Sequence, residues 1–189
     1  MLFRSTNSMY IGDDPSSTTD DAQYNVAVGI DALDAVTTGD KNIAVGYDAL
    51  TANTTGYENT VLGYQAGDVI VAGNQNVIIG RNADPSASGA VNQIVIGKGA
   101  TGHGDNIAVI GNGSATAIHP HDDDEVDLGS STYEYKDLYV DGTANVDALN
   151  LNGTAVSATA AELNIMNGVT STAAELNLMD GVHATPSEI

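Results

Sequence analysis

His119 and His121 flank Pro120, and an extended chain puts residues i and i+2 on the same side. On a threefold assembly, three such pairs would offer six imidazoles to one octahedral ion, and imidazole donors suit iron, nickel or zinc. The competing reading is a solvated connector, in which Pro120 and the acids after it mark a break between modules. The acidic run Asp122 to Asp127 carries oxygen ligands of the kind Ca²⁺ takes, but it lacks the Asp-x-Asp-x-Asp-Gly loop spacing and reads as a solvated charge cluster. Tyr47 and Tyr64 share a place in a repeat described below, preceded by Ile30 and followed by Arg81 and Lys98. Stacked tyrosines there offer a sugar-binding face or simply cover the side of the fold. Asp31 and Asp48 also stack, but Gln65 and Asn82 follow them, so a continuous acidic ladder is avoided and a plain surface is expected. Gly97-Lys98-Gly99-Ala100-Thr101-Gly102 matches GxGxxG by letter only, since no dozen-residue helix follows. No Ser/His/acid order, HExxH or P-loop occurs, and His103, His119, His121 and His183 have no nucleophile beside them in sequence. No catalytic or cofactor-binding residues are expected, and the His119/His121 pair is the one candidate metal site.

The elements that carry these residues are set by a repeat. Gly12, Gly29, Gly46, Gly63, Gly80 and Gly97 recur at every seventeenth position, and Gly111 follows after a shorter step of fourteen. A fixed period of this length indicates a solenoid of stacked coils. The three residues before each Gly form a short aliphatic strand, as in Ile43-Ala44-Val45 and Ile94-Val95-Ile96. Such a strand is apolar on both faces, and the inside of a coil covers only one. A second copy of the chain is expected to cover the other. Ala32, Ala49, Ala66, Ala83 and Ala100 lie three after the Gly, where a narrow coil admits nothing larger. Asn25, Asn42, Asn59, Asn76 and Gln93 lie four before it, and stacked amides can hydrogen-bond along a column. Gly39, Gly56 and Gly73 mark a second corner, and the seven marker glycines are expected to be structural turn residues with positive φ. Seven coils at about 4.8 Å each would make a rod roughly 30 Å long with a thin interior, so a homotrimer is expected to supply the missing burial.

Composition excludes several classes. The chain of 189 residues has no Cys, so disulfide frameworks and thiolate metal sites are out. Five Lys+Arg against 25 Asp+Glu give a formal charge of −20, which leaves no basic footprint for nucleic acid and disfavours anionic membranes. No apolar run is long enough for a transmembrane helix, and Met1-Leu2-Phe3-Arg4-Ser5 lacks the h-region of a signal peptide.

The expected organisation is a β-roll solenoid over 8–118, an acidic connector over 119–125, a β-stranded shaft over 126–154 and 13-residue helix-containing repeats over 155–189. In the shaft, Leu138 and Val140 alternate with Tyr139 and Asp141, as in a half-buried strand. The last repeats, from Thr159 and Thr172, open on a Thr-x-x-Glu capping box and close on Gly168 and Gly181. A third copy begins at Thr185, which suggests a longer fibre. The fold class is therefore all-β: a parallel solenoid of 17-residue coils forming a homotrimeric fibre, then a β-rich shaft with short capped helices.

Two groups of proteins share these patterns. Asn42-Ile43-Ala44-Val45-Gly46 and Ile107-Ala108-Val109-Ile110-Gly111 resemble the head repeats of trimeric autotransporter adhesins, which are trimers of left-handed parallel β-rolls. The longer unit from Asn42 to Gly56, the segment Asp127-Leu128-Gly129-Ser130-Ser131 through Leu138-Tyr139, and the Thr-Ala-Ala-Glu-Leu-Asn copies are similar to bacteriophage tail-fibre proteins, especially of marine cyanophages. The longer coil, against the shorter repeat of the adhesins, and the absence of an anchor or signal peptide favour the phage group. That resemblance implies a structural, non-enzymatic trimeric fibre in the virion, held by tail or adaptor proteins and supporting attachment to a host surface glycan or protein. The alternative is a bacterial cell-surface adhesin head that binds host or matrix.

Overall fold

A computed structural model of the chain describes residues 2–3, 8–11, 21–121, 127–146, 149–151 and 154–157. By backbone contacts the chain divides into two units, Met1–Asp124 and Glu125–Ile189. The first is a parallel β-solenoid. Its strands are β1 (Leu2–Phe3), β2 (Met9–Ile11), β3 (Val26–Val28), β4 (Ile43–Val45), β5 (Thr60–Leu62), β6 (Val77–Ile79), β7 (Ile94–Ile96) and β8 (Ala108–Ile110). They form one sheet in chain order, parallel from β2 to β8. Successive partners stand one period of the repeat apart, as in Ala44↔Val61, until the shorter last step Val95↔Val109. β1 instead runs antiparallel to β2 and pairs with the edge that the first coil would otherwise leave open.

The middle residue of each triplet points inward. Tyr10, Ala27, Ala44, Val61, Ile78 and Val95 are buried, facing the equally buried alanine column from Ala32 to Ala100. Leu33, Leu50, Val36 and Ile70 complete the interior. An Ala column opposite one aliphatic column leaves little apolar area per coil, as expected for a narrow solenoid.

Polar ladders hold the coils together. The Asn42 amide N–H donates to Asn25 Oδ1 at 2.8 Å, that of Asn59 to Asn42 Oδ1 at 3.0 Å, and that of Asn76 to Asn59 Oδ1 at 3.1 Å. Each Nδ2 also reaches across its own coil, from Asn25 to the Gly39 carbonyl, Asn42 to Gly56 and Asn59 to Gly73. One side chain thus joins neighbouring coils and ties the second corner to the start of the strand. These ladder amides are satisfied, which is the condition for keeping polar groups in so thin a core.

The marker glycines turn the first corner with φ between 135° and 147° at Gly29, Gly46, Gly63, Gly80 and Gly97, and with φ of 91° at Gly111. Gly12 lies outside the described residues. A Cβ on Gly63 would fall on the Gly80 carbonyl of the next coil, so stacking and backbone conformation both demand glycine.

The first and third residues of the triplets face outward. Ile43, Leu62, Ile94 and Ile110 are exposed, and Val26, Val28, Val45, Val77, Ile79 and Ile96 are half-buried. In the single chain, two mostly aliphatic columns therefore run along the outer face of the sheet, one of them interrupted by exposed Thr60.

In the second unit, β9 (Asn150–Leu151) and β10 (Thr154–Ala155) form an antiparallel pair. The strands expected between Val126 and Thr143 differ from what is found: the described residues 127–146 contain bends but no strand. Leu138 and Tyr139 are exposed there, so the alternating pattern has no apolar surface of its own chain to rest on. The helix-containing repeats fall, beyond Ser157, outside the described residues, and no helix occurs among the residues described.

Candidate functional site

The residue after each marker Gly begins a new face of the coil. This column reads Ile30, Tyr47, Tyr64, Arg81, Lys98 and Asn112. Its backbone is committed to the stack: the Tyr47 carbonyl accepts from the Gln65 N–H at 2.8 Å, that of Tyr64 from Asn82 at 2.9 Å, and that of Arg81 from Gly99 at 2.8 Å. The side chains are left to face outward. The Tyr47 and Tyr64 rings stack with centroids 5.2 Å apart and planes 18° from parallel, close to the spacing the coils impose. Arg81 and Lys98 are exposed and, among the described residues, form no ion pair. The neighbouring column changes character along the same line, from Asp31 and Asp48 to Gln65, Asn82 and Gly99. Gln65 Nε2 donates to Asp48 Oδ2 and Asn82 Nδ2 to Gln65 Oε1, both at 3.2 Å, forming a second amide ladder. The Asp48 carboxylate pushes the Tyr47 phenol above its ordinary pKa, with burial and Asp31 adding to it. Acid thus flanks the tyrosine end of the stripe, and no acid of that column flanks the basic end.

The stripe ends at a groove of about 440 Å³ lined by Gly99, Thr101, His103, Val109, Asn112 and neighbouring glycines. Asn112 Nδ2 donates to the Lys98 carbonyl at 2.5 Å and so ties the groove to the stripe.

A second feature was hidden in the sequence. Asp84 occupies the inward place filled by Leu33 and Leu50 in earlier coils and by Gly67 in the one before it. Its Oδ1 is enclosed and accepts no hydrogen bond. Burial, then the Asp68 carboxylate, raise its pKa to about 6, against an opposing pull from the backbone N–H groups of Val69, Asp68 and Gly67. Asp68 is itself raised, by burial and by Asp48. The sequence signal was a lone acid in a column that otherwise reads Leu33, Leu50, Gly67 and Thr101.

His119 and His121 are exposed and lie outside any strand. Asp122 to Val126 fall outside the described residues, as does His183. Among the described residues, no group of three or more His, Cys, Asp or Glu side chains gathers as a metal site. The letters Gly97 to Gly102 follow strand β7 and continue into the last coil, with no helix. In the second unit, Asp127, Leu128, Ser130, Glu134, Tyr135 and Leu138 line an open groove of about 600 Å³.

No protein-family model, curated protein or solved structure matches this chain.

Proposed function

We propose that the chain is a segment of a structural, non-enzymatic fibre assembled from three in-register copies, of the kind a phage virion carries as a tail fibre to support host attachment. The observation that carries this reading is the pair of aliphatic columns on the outer face of β2–β8, including Ile43, Leu62 and Ile94 at 41–48% exposure. An aliphatic strip broken only by Thr60 in one of its two columns is a surface for association rather than for water. Burying it between copies gains about 25 cal/mol for each Å² of apolar area, burial that the thin single-chain interior does not supply. The same ladder that holds each coil one full period from the next keeps the columns straight, so identical copies meet along their whole length. The number three, the virion setting and the attachment to tail or adaptor proteins follow the resemblance of the repeats. The function is mechanical: stacked coils supply stiffness, and lateral burial supplies resistance to shear. The His119/His121 pair stays a proposal that depends on the trimer, since one chain supplies only two imidazoles.

Sedimentation velocity of the full chain tests the reading. The expected species has three times the 19.3 kDa chain mass. An Ile43→Asp/Leu62→Asp variant is expected to sediment as a single chain while keeping its β-type circular dichroism. A wild-type monomer at micromolar concentration, or a variant that stays associated, contradicts it. The exposed Tyr47–Lys98 stripe favours a second reading, a cell-surface adhesin head in which the roll itself binds.

A further inference from the structure

We propose that the column from Tyr47 through Tyr64, Arg81 and Lys98, with the groove at Thr101, His103 and Asn112, binds an acidic polysaccharide. The fibre reading places no ligand on the solenoid, so this inference goes beyond it.

Charge singles out the stripe. The chain has only five Lys and Arg residues, and two of them occupy successive places in one column. Coils about 4.8 Å apart bring like charges close, an arrangement that destabilises a stack unless something of opposite sign lies against it. Among the described residues no such group pairs with them: Asn82 and Gly99 take the places next to Arg81 and Lys98, where the earlier coils carry Asp31 and Asp48. The chain carries a formal charge of −20, yet these two cations have no ion-pair partner among the described residues.

The rest of the stripe narrows the ligand class. Because the column's carbonyls already accept from the next coil, the backbone offers no open edge for a peptide to join as a strand. What faces outward is a straight row of side chains at a fixed repeat: two phenols, a guanidinium, an ammonium, then hydroxyl, imidazole and amide groups in the groove. A linear glycan is a periodic polymer of hydroxyls, and one built from uronic or sulfated sugars adds a periodic anion. Tyrosines supply apolar ring edges and hydroxyls to sugar rings, and Arg81 supplies a fork for a carboxylate or sulfate. The groove is of the size that takes a small ligand or the end of a larger one. Two cations are too few for nucleic acid, which draws its affinity from many phosphate contacts. The overall negative charge repels a polyanion at long range, but at physiological ionic strength that field is screened beyond about 8 Å, leaving the local cations to act at contact.

Calorimetric titration of the full chain in physiological salt tests this. The probes are an oligogalacturonate, a heparin oligosaccharide, neutral maltoheptaose and poly-glutamate. Saturable binding is expected for at least one acidic oligosaccharide, and the first two probes tell carboxylate from sulfate. Maltoheptaose and poly-glutamate are expected to bind far less. An Arg81→Gln/Lys98→Gln variant should weaken binding about tenfold or more, the loss expected when charge-assisted hydrogen bonds go. Tyr64→Ala should weaken it as well. Both variants should keep the wild-type sedimentation coefficient and melting temperature. The inference is overturned if no acidic oligosaccharide saturates, if the double variant binds like wild type, or if poly-glutamate binds as well as the glycans. It is also overturned if the double variant dissociates the assembly, because the two cations then serve a neighbouring copy. Sedimentation of the wild type alone decides the fibre reading, so the two can fail separately.

Discussion

Each inward-facing position of the solenoid recurs in the neighbouring coils, so single substitutions are read against a built-in reference. Gly63→Ala should destabilise the solenoid by about 2 kcal/mol or more, because φ of 147° and the Gly80 carbonyl both oppose a Cβ. A denaturant titration compared with wild type measures it. Asn53 occupies the place of Val36 and Ile70, and its enclosed Oδ1 accepts no hydrogen bond. Its Nδ2 donates to the Gly56 carbonyl at 3.1 Å, but Asn42 Nδ2 already donates there at 2.9 Å. Asn53→Val should therefore stabilise the coil by about 1 kcal/mol, seen as a raised unfolding midpoint. Asp84 gives the pH dependence. Its folded pKa of about 6 stands above the ordinary 3.8, so the folded state binds the proton more tightly. That contribution is fully present below about pH 4 and is lost as the pH rises through 6. Asp84→Leu restores the side chain of the earlier coils and should abolish this part of the pH profile, with the largest gain in melting temperature above pH 6.

The coil is the unit of the fold, and its length is its register. Deleting residues 47–63, one whole period, should join β4 to the strand of β6 in register and leave a shorter folded solenoid, with unchanged β-type circular dichroism per residue. Deleting only 47–62 leaves one residue too many between the Gly46 corner and the next strand, and should lower the unfolding midpoint relative to the whole-period deletion. The sequence made the strands, the inward Ala column and the Asn ladder legible because one residue type recurs at one place. Three left-handed positions in the coil were not legible. One carries Lys41, Glu58, Gln75 and Asn92, another Asp31, Asp48, Gln65 and Asn82, and a third Leu33 and Leu50, all with φ between 51° and 58° except Gln75 at 60°. Hydrogen bonds from the coils on either side hold these conformations, so residue identity varies freely and leaves little trace. The Tyr47–Tyr64 column was legible, but its meaning depends on Arg81 and Lys98 having no ion-pair partner among the described residues, and only the fold shows that the acids of the neighbouring column, Asp31 and Asp48, lie beside the earlier coils. The strands expected at 126–143 were read from alternation alone, which does not say what a half-buried face rests on.

The solenoid combines a thin interior with two outward, mostly aliphatic columns, in a chain with a formal charge of −20. Association of such acidic chains works against mutual repulsion, so the assembly should tighten as salt rises from about 10 to 150 mM, where screening shortens from about 30 to 8 Å. Mass measured across that salt range checks this. The virion setting rests on the resemblance of the repeats, while the need for lateral partners rests on the geometry of the strands. The most direct test is a density map of the full chain in solution. The account predicts three chains in register about one axis, with Ile43, Leu62 and Ile94 packed between copies. A solitary chain whose outer aliphatic columns face water would contradict it.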